Sequence, residues 1–209
     1  MYGHGSRRGG GAKIFPRKWK SKDILLLLLY APVGAASKRS ITGRTRLQKL
    51  VFLFEKEFFA RFKFGEVIPE ELLPVFEPWR FGPFSKQVLS DIEFFKAIGF
   101  LTTEKSSTPP ELEEVEEYAM WLEADPDDSG GTEYEGEEFT LSEAGEGYVA
   151  ENLWPHLNQP QREALSALKQ RFTEAPLYVI LQYVYSKYPE STTRSEITSQ
   201  VLGVDSDKG

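Results

Sequence analysis

The sequence contains no cysteine and only two histidines, His4 and His156. The lack of cysteine excludes a disulfide framework, a thiolate zinc site and a cysteine nucleophile, and it fits a reducing, cytoplasmic compartment. One histidine lies in a glycine-rich arm and the other beside a proline at a predicted helix end, and neither has an evident acid–base partner. The sequence therefore predicts no catalytic residue, no metal site and no cofactor, and we expect a protein that is not an enzyme.

Long apolar runs are also missing. The longest one covers residues 24–31, far fewer than the roughly 20 residues that cross a bilayer. The sequence therefore predicts no membrane span. The stretch before this run, MYGHGSRRGGGAK, is basic and rich in glycine, and we interpret residues 1–20 as a flexible basic arm.

Positive charge is nearly absent from the second half of the chain. Residues 1–105 carry 19 lysines and arginines against 10 carboxylates, whereas residues 106–209 carry 6 against 22. Residues 106–138 contain no lysine or arginine, and 13 of the 28 residues in 111–138 are acidic. The overall charge of −7 therefore hides two opposite surfaces, which bear on the choice of partner rather than on the fold.

Apolar periodicity predicts three helices in the first half of the chain. The first is apolar nearly all round, begins with Ser21 as its cap and ends before Pro32. The second covers 44–62, with cations on a separate line, and the third covers 84–98, with Pro83 in its first turn. The core-facing residues of the second helix are Leu47, Leu50, Val51, Phe54 and Phe58, and those of the third are Phe84, Val88, Ile92 and Phe95.

Two strands and a further helix follow. The segments 100–105 and 138–141 read as strands, and Ser142, or Thr140 together with Glu143, caps a helix after them. The order helix, helix, helix, strand, strand, helix is that of a winged helix, in which the two strands form the wing. The acidic segment 106–138 is then an insertion at the tip of the wing, and we expect it to form a short helix around Leu112–Leu122 and a loop.

The last fifty residues predict an all-helical annex. Residues 161–172 and 176–188 are helix-like, and Thr193 with Glu196 predicts a capping box for a short final helix. We therefore divide the chain into the arm 1–20, a winged-helix-like domain 21–158 carrying the insert 106–138, the annex 159–201 and a tail 202–209. The expected fold class is mainly α, or α+β.

Three blocks of sequence resemble the Panacea domain family, which includes SocA-like antitoxins and YwgA-like proteins. The blocks are TRLQKLVFLFEKEF at 45–58, FEPWRFGPFSKQVLSDI at 76–92 and PLYVILQYVYSKYPESTTRSEI at 176–197. The resemblance implies a small winged-helix-like domain of prokaryotes or their mobile elements. It also implies no enzymatic activity and, in many members, an antitoxin that binds a partner toxin directly. The acidic insert and the annex depart from the usual pattern of the family.

Aromatic residues around Gly82 and Pro83 are the candidate protein-binding site. Exposed aromatic side chains beside an arginine suit a binding hot spot, although the same residues also suit a loop that is locked onto the core. The candidates for contact with a partner protein are Trp79, Arg80, Phe81 and Phe84.

Cations near the second and third helices are the candidate nucleic-acid site. Phosphate contacts need several cations in one region, whereas the acids in 84–98 disfavour a helix in the groove of DNA. The candidates are Arg39, Arg44, Arg46, Lys49, Lys86 and Gln87, with support from the basic arm.

The sequence leaves three functions open. We favour a non-enzymatic module that binds and neutralises a partner protein, as an antitoxin in a toxin–antitoxin pair does. The alternatives are a DNA-binding transcriptional regulator and a structural subunit that forms a homodimer through the annex.

Overall fold

The computed structural model describes residues 18–34, 40–106 and 136–203. Over these ranges the fold is mainly helical with a small antiparallel sheet, as the composition and periodicity predict for an α+β protein. The helices are α1 Asp23–Tyr30, α2 Arg44–Leu53, α3 Lys86–Ala97, α4 Glu143–Asn152, α5 Gln159–Glu174, α6 Leu177–Lys187 and α7 Thr198–Leu202. The strands are β1 Ile41–Thr42, β2 Glu77–Trp79, β3 Gly82–Phe84, β4 Leu101–Lys105 and β5 Glu137–Leu141.

Helix α1 is buried along its whole length, as its apolar sequence predicts. The predicted cap, Ser21, is wrong, because the helix begins at Asp23 and the Ser21 hydroxyl makes no capping bond. The carboxylate of Asp23 itself accepts a hydrogen bond from the backbone N–H of Lys20 at 2.9 Å. The helix ends before Pro32, where the missing N–H and the ring of proline stop it.

Helix α2 lies at the centre of the molecule. Every residue from Thr45 to Leu53 is buried, because α1, α3, α5 and α6 all pack against this helix. The chain then continues through a π-helical segment, Phe54–Phe59, and the predicted core residue Phe58 lies there half-buried. A helix packed on every side has no solvent-exposed face, so its cations cannot form a surface line.

The segment before α3 is a β-hairpin rather than a helix start. Pro83 lies in β3, paired with Pro78 of β2, and α3 begins only at Lys86. Two prolines fit opposite each other because that position of an antiparallel ladder needs no backbone donor. The predictions that Pro83 opens the helix and that Phe84 belongs to it are therefore wrong. Ser85 caps α3 instead by accepting a hydrogen bond from the Val88 N–H at 3.5 Å.

The sheet has the strand order β1-β5-β4, with all pairs antiparallel. Both strands expected at 100–105 and 138–141 are present, whereas the two-residue β1 is too short to leave a sequence pattern. Glu137 and Glu138 belong to β5, so the acidic insert ends earlier than the predicted residue 138. The helix and loop predicted within the insert fall in 107–135, outside the described residues.

The helices of the annex, α5 to α7, share one hydrophobic core with the rest of the chain. The buried residues Leu165, Leu168, Leu177 and Leu181 belong to the same cluster as α1 and α2. Helix α5 begins with a capping box of Asn158 and Gln161. The capping box predicted for Thr193 and Glu196 does not form, since α7 begins at Thr198 after an uncapped Ile197. Every helix in the described ranges is too short or too polar to cross a bilayer.

Candidate functional site

Two of the cations predicted to face nucleic acid are buried. Arg46 donates from Nη1 to the carbonyl oxygens of Phe172 at 2.8 Å and Ala175 at 2.5 Å, which lie at the C-terminal end of α5. Lys49 is fully buried and donates from Nζ to the carbonyl oxygen of Pro83 at 3.1 Å. The prediction that these two side chains contact phosphate is therefore wrong. They satisfy backbone carbonyls that would otherwise lack a donor.

Arg44 is held by carboxylates. Its guanidinium lies 2.8 Å from Glu93 on α3 and 2.6 Å from Glu137 on β5, and Lys96 also reaches Glu137 at 3.1 Å. Burial opposes the charge on Arg44, but the hydrogen bonds and attraction of both carboxylates raise its pKa. Burial likewise opposes the charge on Glu137, but bonding to Arg44 and Lys96 lowers its pKa. This network ties α2, α3 and the sheet together and leaves Arg44 little capacity for phosphate.

Few of the predicted nucleic-acid residues face solvent. Lys86 and Gln87 are exposed on the first turn of α3, and Arg39 lies outside the described residues. Toward the C-terminal end of α3, Phe94 is 42% exposed, and Ile98, directly after the helix, is 46% exposed. The Nζ of Lys22 lies 3.3 Å from the centre of the Phe94 ring. The outer face of α3 is therefore a mixed surface with an apolar end.

The predicted protein-binding residues lie on the hairpin β2–β3. Trp79 and Phe84 stack with their ring centres 6.0 Å apart and are half-buried. Arg80 is exposed at the turn and pairs with Glu196 at 3.2 Å. Phe81 is buried in the core, so the prediction that it contacts a partner is wrong. Of the four candidates, Trp79, Arg80 and Phe84 thus remain accessible.

All three blocks of the family resemblance meet at this hairpin. Gln48 donates to the carbonyl of Ser85 and accepts from its N–H, both at 3.0 Å, while Lys49 holds Pro83. Gly82 has a φ of +83°, and a Cβ there would lie 2.9 Å from Cε2 of Tyr185. Side chains of α2 and α6 therefore hold the hairpin in place.

The turn of the hairpin is fixed by the chain that follows α6. The carbonyl oxygen of Arg80 accepts hydrogen bonds from the N–H of Glu196 at 2.9 Å and from the hydroxyl of Ser195 at 3.0 Å. Ser195 is also hydrogen-bonded to the Tyr185 hydroxyl at 2.6 Å. Sequence reasoning missed Tyr185 and Ser195, because their contacts with Gly82 and Arg80 join positions more than a hundred residues apart. A surface held this firmly loses little conformational entropy when it binds a partner.

A groove of about 430 Å³ lies beside the hairpin. Its floor is Phe52, whose ring packs edge-on against Phe76 at 5.3 Å and Tyr188 at 5.2 Å. We call the groove together with β2–β3 the hairpin groove. The residues that line the groove are Phe52, Glu55, Lys56, Glu70, Leu73, Pro74, Val75, Phe76, Pro78, Glu190 and Ser191.

The lining of the groove is apolar with an acidic rim. Val75 is 74% exposed, the largest exposed fraction among the large apolar residues of the described ranges. Lys56 pairs with Oε1 of Glu55 at 2.9 Å, whereas Oε2 of Glu55 is buried and has no hydrogen-bond partner among the described residues. Glu70 and Glu190 add two carboxylates. The groove therefore offers apolar surface and negative charge side by side.

Next to the groove, Glu57 on the π-helical segment joins three side chains of α6 and its end. Its Oε1 accepts from the hydroxyls of Tyr183 at 2.7 Å and Tyr188 at 3.0 Å and from Nζ of Lys187 at 3.0 Å. Burial opposes its charge, but these bonds lower the pKa of Glu57. Burial and the bond to Glu57 raise the pKa of Tyr188 to about 12. Both groups thus titrate far from neutrality, which suits a structural tie rather than proton transfer.

No group of three or more metal-binding side chains occurs in the described ranges. His156, one of the two histidines, lies with its ring 6.0 Å from that of Trp19, in an edge-on contact. The hairpin thus carries the half-buried Trp79 and Phe84 and the exposed Arg80, and Pro78 of the same hairpin lines the groove. Comparison of the chain with protein-family models and with curated proteins finds no match.

Proposed function

We propose that this chain is a non-enzymatic protein-binding module on a winged-helix-like scaffold, which binds and neutralises a partner protein as SocA-like antitoxins do. The observation that carries the proposal is the hairpin groove. A rigid hairpin presents Trp79, Phe84 and Arg80 beside an apolar cleft, and aromatic and arginine residues next to a pocket are the usual composition of a binding hot spot.

The order of the elements supports a winged-helix-like scaffold. Helix α1, strand β1, helices α2 and α3 and strands β4 and β5 occur in the order of a winged helix, with the hairpin β2–β3 inserted between α2 and α3, and β5 lies between β1 and β4. In this assignment β4 and β5 form the wing and α3 takes the place of the recognition helix. Residues 106–136 then join the two strands of the wing.

The distribution of charge favours a protein partner over DNA. Arg46 and Lys49 are used inside the core, and Arg44 is neutralised by Glu93 and Glu137. A recognition helix that presents Phe94 and Ile98 toward solvent lacks the dense cations that phosphate contacts require.

A DNA-binding regulator is the second candidate. It is favoured by the element order and by Lys86 and Gln87, which lie exposed at the N-terminal end of α3, where a recognition helix contacts base edges. A gel shift on a mixed pool of duplexes at low salt separates the two candidates. If the chain binds a protein partner, we expect no shift of the duplexes. A shift that disappears as the salt concentration rises, and that Lys86→Ala abolishes, would establish the DNA-binding regulator instead.

Co-expression tests the leading proposal. The chain is co-expressed with the protein encoded next to it, and growth and co-purification are measured. We expect the native chain to rescue growth and to form a complex. Trp79→Ala should weaken both, because it removes the largest of the hairpin side chains that remain accessible to a partner. Tyr178→Ala on the outer face of α6, which is also exposed, is the matched control and should leave both unchanged. Lack of rescue by the native chain would contradict the proposal.

A further inference from the structure

The groove beside the hairpin combines an apolar surface with exposed carboxylates. Val75 and the half-buried Leu73 and Phe76 form an apolar wall, and the carboxylates of Glu70 and Glu190 stand at its edge. Neither carboxylate forms an ion pair or a hydrogen bond with another described residue. A ligand that covers only the apolar wall leaves the carboxylates in water, and a ligand that binds only the carboxylates leaves the apolar wall exposed.

Charge within the groove is not balanced. Lys56 is the only cation among the lining residues described, against three carboxylates, and it is already paired with Glu55. The other two carboxylates, Glu70 and Glu190, are exposed and lie open to a ligand in the groove. The groove is therefore complementary to a positive group that donates hydrogen bonds.

The volume of the groove and the position of Val75 indicate that the ligand is a peptide segment rather than a small cation. A groove of about 430 Å³ holds more than one side chain, and Val75 stands at its rim, where a small cation bound to the carboxylates does not cover it. Arginine fits the charged part best, because its planar fork of donors matches carboxylate geometry. An aliphatic neighbour on the same segment would cover the apolar wall.

We propose that the hairpin groove binds a segment of the partner protein in which arginine alternates with aliphatic residues, with an arginine on the exposed carboxylates of Glu70 and Glu190 and an aliphatic side chain on Val75. This inference rests on the proposed function and specifies its partner: the recognised segment is basic and amphipathic. It also assigns the groove residues, and not only the aromatic residues of the hairpin, to the recognition of the partner.

The test uses the full chain and a fluorescein-labelled 12-residue peptide of alternating arginine and leucine, with binding measured by fluorescence anisotropy. We expect the double variant Glu70→Gln/Glu190→Gln to weaken binding about tenfold, and Val75→Ser to weaken it severalfold. The matched control is Glu104→Gln/Glu151→Gln, which removes the same charge from exposed sites on β4 and α4 and should change affinity less than twofold. Circular dichroism and urea unfolding verify that all variants fold.

Several results would overturn the inference. The first is that the peptide does not bind. The second is that the groove variants and the control variant bind it with equal affinity, which would place the peptide on another acidic surface. The third is that spermidine competes fully with the peptide, which would indicate a site for small cations. A peptide with serine in place of leucine should bind at least tenfold more weakly, and equal binding would remove the role of Val75. Co-expression remains a separate readout. If the native chain and Glu70→Gln/Glu190→Gln rescue growth equally, this inference fails but the protein-binding function stands. If the native chain does not rescue growth, the function itself fails.

Discussion

Asp91 is a buried carboxylate in the middle of α3, and it offers the sharpest thermodynamic test of the fold. Burial raises its pKa to about 6, Lys22 opposes this shift, and Asp23 adds to it. The ordinary pKa of the group is 3.8. The folded chain therefore keeps a proton on Asp91 at a pH where the unfolded chain has lost it.

The sign and size of the effect follow from linkage. Between about pH 4 and pH 6 the folded state binds more protons than the unfolded state, so stability falls as pH rises through this window and the loss is complete above it. A shift of about two pKa units converts to about 3 kcal/mol, at about 1.4 kcal/mol per unit. Partial solvent screening reduces this to about 1–2 kcal/mol. Asp91→Asn removes the ionisation while keeping the size of the side chain.

Urea unfolding, followed by tryptophan fluorescence, measures the effect at two pH values. We expect Asp91→Asn to raise the free energy of unfolding by about 1–2 kcal/mol at pH 7.5 and to change it by less than 0.5 kcal/mol at about pH 4. Glu151→Gln, which removes an exposed carboxylate on α4, should change neither value. A loss of stability at pH 7.5, or an equal change at both pH values, would refute the conclusion that Asp91 is a buried carboxyl group with a raised pKa.

Two further predictions test the support of the hairpin by unfolding in urea. Gly82→Ala should destabilise the chain by about 1–3 kcal/mol, because the new Cβ meets Tyr185 at 2.9 Å and the φ of +83° disfavours alanine. Gly147→Ala, at an exposed helical position with open space around it, should instead stabilise the chain by about 0.5–1 kcal/mol, and a loss comparable to that of Gly82→Ala would contradict the steric argument. Lys49→Ala should cost about 2–4 kcal/mol, because it leaves a cavity and a carbonyl without its donor, whereas the exposed Lys86→Ala should stay within about 0.5 kcal/mol. Similar small effects from both lysines would show that Lys49 faces solvent.

The sequence predicted the elements whose apolar pattern is regular. Helices α2, α5 and α6 and strands β4 and β5 lie where periodicity and β-branched residues indicated, because one buried face is enough to fix such elements. The hairpin was missed for a physical reason. Proline on both sides of a turn disfavours strands, because proline has no backbone N–H to donate. In this hairpin Pro78 pairs with Pro83 across the ladder, so neither position needs a donor.

Prediction of the site was limited by the environment of α2. A cation at helical spacing is normally a surface residue, and nothing local distinguishes Arg46 and Lys49 from such residues. Their burial follows from packing on every side of α2 and from carbonyls supplied by α5 and by the hairpin, more than thirty residues away. The aromatic cluster at 79–84 was found because its residue types are unusual together, but the groove beside it joins three separate segments of the chain and has no local sequence pattern.

The central claim is that the hairpin groove, and not α3, contacts the partner. Hydrogen–deuterium exchange of the complex with the protein encoded next to this chain tests it most directly. We expect binding to slow exchange in 70–84 and 189–196 and to leave α3 unchanged. Protection confined to α3 and the wing, or no protection of the hairpin in a complex that does form, would contradict the account.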